Sequence, residues 1–359
     1  MQIWNKGWLE MADKRDEIYD FFKGMLMIGV VLGHVLSALQ GGEGKTYWIH
    51  EFVRTYDMPM FAFISGFFLK RSCAKRSALQ NCLNKVCTIL FPALIWGEIY
   101  SLLGGRFIPS LGPWFLYSMF ASSIIVIVID LIKNELLKGL CFFGVVCVFH
   151  TLIIDPVNIG FLLAPTILGY YFENIKKAYE THITVKRQMF VKVFMIFLYL
   201  CGLSLWKLDY NVWNLGCNLM RNGEYLQNSL GMLLRFSIGI LGSLLMKDLF
   251  ELIFNGLNTN IRNLYKPVKD RIVLWGKSTL ELYVLHGWFV SVAGTRIINI
   301  LVSKLGYNPF TTNERFLVFV IAPLITAFTL YSMHFLSRII KKIPYLGNHA
   351  FSLEVLKKN

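Results

Sequence analysis

The sequence predicts an all-α, polytopic membrane protein of about ten transmembrane helices, with both termini cytoplasmic. Three observations carry that expectation. Hydrophobic residues make up 55% of the 359 positions and charged residues only 16%, against about 25% charged in an average soluble protein. Mean hydropathy is +0.52, so lipid rather than water is the natural surround for most of the surface. The basic residues also alternate along the chain in phase with the apolar segments.

A spanning helix needs about 20 mostly apolar residues. Ten segments meet that need, near 22–39, 52–70, 86–104, 113–132, 138–154, 157–172, 189–207, 230–249, 279–302 and 316–338. The fifth and sixth are short and joined only by Asp155-Pro156-Val157-Asn158, which reads as a tight turn. Merged into one re-entrant hairpin, they would lower the count to nine or eight. Of the 36 Lys and Arg residues, 27 fall within 1–23, 70–85, 133–138, 176–192, 247–277 and 338–358, the segments that would face the cytoplasm. That bias satisfies the positive-inside rule and sets both termini inside with an even number of spans. The net charge of +14 and pI near 9.4 are then mostly topological. No aromatic-basic RNA motif or zinc finger accompanies them, so no nucleic-acid partner is expected.

The first span is long, lacks a small-x-small cleavage site and is followed by many more, which argues against a cleaved signal peptide. Seven cysteines sit in or beside helices or on the cytoplasmic side, except Cys217 in the outer loop 207–229. Neither a disulfide framework nor a metal site follows from them. One membrane domain is expected over 1–343, with a short cytoplasmic tail at 344–359.

Ionisable groups inside hydrocarbon are costly and mark function. Lys23 and His34 are eleven residues apart, which returns a helix to within roughly 20° of its starting face and about 16 Å along its axis. With Lys23 at the cytoplasmic boundary, His34 lies deep in the membrane. It is either a histidine hydrogen-bonded between packed helices, or a general base or acyl-accepting nucleophile, since its pKa near 6.5 suits proton transfer at neutral pH. In Met58-Pro59-Met60-Phe61-Ala62-Phe63-Ile64-Ser65-Gly66-Phe67-Phe68, Pro59 breaks or starts a helix, and Ser65-Gly66 allows close helix approach. Arg71, Lys75 and Arg76 follow, either as topology determinants or as a phosphate-gripping patch.

Glu98, inside the third span, is a candidate catalytic carboxylate or the partner of a buried cation. Trp114, after Gly112-Pro113, suits a helix start at the interface. Ser278 and Glu281 have the spacing of a capping box, and His286 is a second intramembrane histidine. His150, Arg235 and Arg296 are isolated.

These blocks, in this order, resemble the integral-membrane acyltransferase family 3, in particular its branch similar to fucose 4-O-acetylases. That family carries a basic residue, ten residues and then histidine on its first helix, here Lys23 and His34. Many members have arginine at the first place, and lysine keeps the charge but loses the bidentate fork. Met58 to Phe68 is similar to the family's "MPLFFFISGF" run. Asp57 stands where related members often have histidine, so a role for that position does not transfer. Arg71 with Lys75 and Arg76 corresponds loosely to a basic pair. Trp114-Phe115-Leu116 matches a "WFL" block, and Tyr283-Val284-Leu285-His286 resembles a "YLxH" block. The likeness covers about residues 14–340.

What the resemblance implies is a plasma-membrane O-acyltransferase, usually moving acetyl from cytoplasmic acetyl-CoA or another acyl-CoA to a hydroxyl of a sugar or glycan, without a metal. His34, Glu98 and His286 would be catalytic. Lys23, Arg71, Lys75 and Arg76 would bind the CoA phosphates, and Ser65, Trp114 and Tyr283 would line the substrate site. Two rival readings are a flippase of lipid-linked sugars, with a polar midplane cavity and helices broken around Pro59 and Pro165, and a scaffold or sensor without catalysis.

Overall fold

Long apolar runs fold into helices because, away from water, the backbone must satisfy its own hydrogen bonds. The structure, a computed structural model, describes residues 16–39, 48–103, 112–151, 155, 157–206, 225–256, 262–290, 316–343 and 350–351. All regular secondary structure in these residues is helical. In chain order the helices are α1 Glu17–Leu39, α2 Trp48–Cys73, α3 Ala78–Lys85, α4 Phe91–Leu103, α5 Trp114–Asp130, α6 Glu135–Thr151, α7 Ile159–His182, α8 Val185–Leu205, α9 Tyr225–Gly256, α10 Arg262–Lys277, α11 Thr279–Trp288 and α12 Ala322–Lys342. One π-turn, Val86–Leu90, joins α3 to α4 in a continuous rod, and another, Leu317–Ile321, leads into α12.

Five of the described helices are long and apolar enough to cross a membrane: Glu17–Leu39, Ala78–Leu103, Val185–Leu205, Leu226–Gly256 and Val318–Lys342. This corrects the expected ten. The second expected span lies in α2, where His50, Glu51, Arg54, Asp57, Lys70 and Arg71 are spread along 26 residues. Its apolar stretch is covered by protein, because α2 packs between α1, α7 and α9. The fourth and fifth lie in α5 and α6, which are 17 residues each. The sixth lies in α7, whose last turns carry Glu173, Lys176, Lys177 and Glu180. For the ninth, α11 has ten residues, and 291–302 lie outside the described residues. The even count that placed both termini in the cytoplasm is lost with the ten. The loop 207–224, Cys217, Arg296 and the side chain of His150 also fall outside the described residues.

Pro59 neither starts nor stops a helix: α2 runs through it from Trp48 to Cys73. The expected turn between the fifth and sixth spans is present. Asn158 has a left-handed backbone (φ 58°), and Asp155 Oδ2 accepts the Gly160 N–H at 2.8 Å, which separates α6 from α7.

Two pairs of glycines set the spacing of the bundle. Gly66 on α2 and Gly169 on α7 each lie against the other helix's backbone, at the carbonyls of Thr166 and Phe63. Gly24 on α1 and Gly276 on α10 do the same at the carbonyls of Ile272 and Asp20. Small residues let helix backbones approach closely where apolar side chains gain nothing from leaving lipid. At the rim, α8 packs on α9 and leaves Met189, Phe190, Val193 and Phe197 exposed, a face suited to lipid.

A methyl group at Gly169 has only backbone to move. Gly169→Ala is therefore expected to destabilise the protein by about 1–3 kcal/mol, the range for overpacking. At Gly144 nothing lies within 4 Å of the added carbon, and Gly144→Ala should be neutral or slightly stabilising. Thermal unfolding of the two variants in detergent separates them.

Candidate functional site

Three helices bring their polar residues to one place. α1 contributes His34, α2 contributes His50, Arg54 and Asp57, and α11 contributes His286. The α2 residues share a face because i, i+3 and i+4 positions do. Gly33 lets α2 come close, since a side chain there would meet His50 Cδ2 at 3.3 Å.

Arg54 is the hub. Its Nη1 donates to Asp57 Oδ2 at 3.3 Å, its Nε to His50 Nε2 at 3.3 Å and its Nη2 to His34 Nε2 at 3.4 Å. A guanidinium has no acceptor atom, so both histidines present lone pairs at Nε2. Asp57 is 1% exposed and also accepts the Met58 N–H at 2.6 Å. A carboxylate so deeply buried needs a counter-charge, and Arg54 supplies it. The His286 ring lies 4.9 Å from the His34 ring, centre to centre. His286 Nδ1 donates to the Tyr283 carbonyl of its own helix, which turns its Nε2 away from the backbone. His50 Nδ1 is buried and has no partner among the described residues.

Tyr283 links this cluster to a cavity. Its ring lies 5.1 Å from His286 and 5.4 Å from Phe115, and its hydroxyl accepts the Phe115 N–H at 3.3 Å. Phe115, with Phe61 5.8 Å away, walls a cavity of about 250 Å³. Its lining is otherwise largely apolar but carries Lys23, Ser65 and Lys85. Among the described residues, no group of three His, Cys, Asp or Glu side chains is placed to hold a metal ion.

The residues singled out in the sequence divide into three sets. His34, His286 and Tyr283 meet in or beside the cluster. Lys23 and Ser65 line the cavity, with Lys23 paired to buried Asp20 at 2.7 Å, and Trp114 packs beside Phe115. The rest lie elsewhere. Arg71 is ion-paired to Asp16 at 3.7 Å and Glu173 at 3.3 Å, and Lys75 and Arg76 are exposed in the turn after α2. Glu98 is half-buried on α4 and makes no ion pair with a described residue. Sequence reasoning missed Arg54 and His50. Their signal was present: Arg54 is one of nine cations outside the positive-inside pattern, and it shares a helix face with His50 and Asp57.

A family profile described as an acyltransferase domain matches residues 16–332. The nodulation protein NolL of Sinorhizobium fredii is 31% identical over 88 residues, which is 24% of this chain and 24% of that protein. NolL of Mesorhizobium japonicum is 28% identical over 88 residues, again 24% of each chain. The matched stretch thus spans about a quarter of these relatives. No solved structure matches the chain.

Removing Arg54 strands the Asp57 carboxylate. Arg54→Met should cost about 3–5 kcal/mol, the range for breaking a buried pair. Arg54→Met combined with Asp57→Asn should recover much of that loss. Denaturant unfolding of the single and double variants measures the difference.

Proposed function

The chain belongs to the acyltransferase-3 family, and on that premise we propose that it is a plasma-membrane O-acyltransferase of the branch similar to fucose 4-O-acetylases. Its donor is acyl-CoA, acetyl-CoA foremost, and its acceptor is a hydroxyl of a sugar or cell-surface glycan precursor. The observation that carries this reading is the convergence of His34, His50 and His286 around Arg54 and Asp57, at the end of an aromatic wall leading from a cavity.

The arrangement suits acyl transfer. His34 Nε2 accepts the proton of the acceptor hydroxyl as the hydroxyl oxygen bonds to the acyl carbonyl carbon. The carbon–sulfur bond breaks, and His34 returns the proton to the leaving thiolate, which leaves an ester and a free thiol. The acceptor hydroxyl takes the place of Arg54 at His34, a contact that is already long at 3.4 Å. The Arg54 guanidinium then faces the carbonyl oxygen, where negative charge develops. Asp57 keeps Arg54 aimed, and His286, beside His34, orients the acceptor. The cavity suits the donor, because a thin pantetheine arm matches an apolar lining, and Lys23, held by Asp20, keeps a basic group beside it.

His34→Ala should lower transfer from radiolabelled acetyl-CoA by about 100-fold or more, with expression and membrane insertion intact. Near-wild-type transfer would overturn the assignment. Lys23→Arg should keep more activity than Lys23→Ala, and equal loss in both would argue against a charge role. Mass spectrometry of surface glycan from a deletion strain separates the rival reading: a missing acetyl increment supports the enzyme, whereas glycan absent from the surface at unchanged mass supports a flippase.

A further inference from the structure

Lys85 has a position that orientation in the membrane does not explain. It is the last residue of α3, and the π-turn Val86–Leu90 follows it, closed by the Phe91 N–H on the Val86 carbonyl. Such turns insert an extra residue into a helix and recur at functional sites. Here Lys85 and Ile89, from either side of the turn's start, both line the cavity that holds Lys23 and Ser65. The two lysines differ in one respect. Lys23 is neutralised by Asp20 at 2.7 Å. Lys85 has no carboxylate within ion-pair distance among the described residues. Of the other cations expected to hold phosphate, Arg71 is held between Asp16 and Glu173, while Lys75 and Arg76 sit in an exposed turn, and none of the three lines the cavity.

An ammonium group in an apolar cavity, without an anion of its own, is costly unless a ligand brings the charge. We propose that Lys85 is a donor-binding residue, the cation that grips the pyrophosphate at the head of the pantetheine arm, while the arm lies along Phe61, Ile64 and Phe115 toward His34. This rests on the acyl-CoA reading above. Phosphate oxygens are strong acceptors for a lysine point charge, and because Lys23 is paired to Asp20, Lys85 is the stronger attraction of the two lysines lining the cavity.

The test uses the purified full-length protein in nanodiscs, titrated with CoA and with pantetheine, which lacks the phosphates. Lys85→Gln should weaken CoA binding at least tenfold and leave pantetheine binding within twofold. Lys85→Arg should stay within about threefold of wild type for both, because it keeps the charge. In turnover, Lys85→Gln should raise KM for acetyl-CoA and leave kcat near wild type. Wild-type CoA affinity in Lys85→Gln, or equal loss of CoA and pantetheine, overturns the assignment and leaves the acyl-transfer reading standing. A wild-type protein that neither binds CoA nor turns over acetyl-CoA removes both. Should Lys85→Gln fail to fold, reductive methylation of the wild type read by mass spectrometry decides the matter: CoA should shield Lys85 and pantetheine should not, and equal labelling with either overturns the proposal.

Discussion

Backbone contact at glycine is the constraint on which the arrangement depends. Gly66 with Gly169 seats α2 on α7, and Gly24 with Gly276 seats α1 on α10. Inside lipid, apolar side chains gain little by leaving their surround, so close packing must supply what the hydrophobic effect supplies in water. Two of the four helices pinned in this way, α1 and α2, carry His34 and Arg54. A shift of either along its axis would move one side of a 3.4 Å contact against the other.

Charge inside the bundle follows the same economy. Asp20 is met by Lys23 and Asp57 by Arg54, each three residues along its own helix. Asp130 receives the hydroxyls of Tyr170 at 2.5 Å and Tyr171 at 3.2 Å, with Lys138 at 3.4 Å. A side chain from the same helix finds its partner before the bundle assembles, which lowers the cost of taking both charges out of water. Arg54 then spends its remaining donors on histidines from two helices, so a structural ion pair also aligns the polar cluster.

Helix periodicity was legible in the sequence, and it put Lys23 and His34 on one face and marked Ser65-Gly66 as a place of close approach. The number of spans was not legible. Hydropathy counts apolar residues and does not distinguish a face turned to lipid from one turned to neighbouring helices. Met58 to Phe68 on α2 is apolar because it is the interior of the bundle. Arg54 is hidden for a related reason: its contact with His34 joins positions twenty residues apart on separate helices, and only the helix face it shares with His50 and Asp57 is a local pattern. His286 was named for its depth, and it is the packing of α11 that puts it beside His34.

The π-turn at Val86–Leu90 has a consequence for the rod that contains it. One additional residue in a helix advances everything beyond it by about 100°. The faces of α3 and α4 are therefore out of phase with a single uninterrupted helix, and Tyr117, whose hydroxyl bonds the Ala93 carbonyl at 3.0 Å, and Trp96, bonded to the Ala350 carbonyl at 2.8 Å, hold the second half in its rotated setting. The rod works as two independently indexed segments, a swivel frozen at one setting.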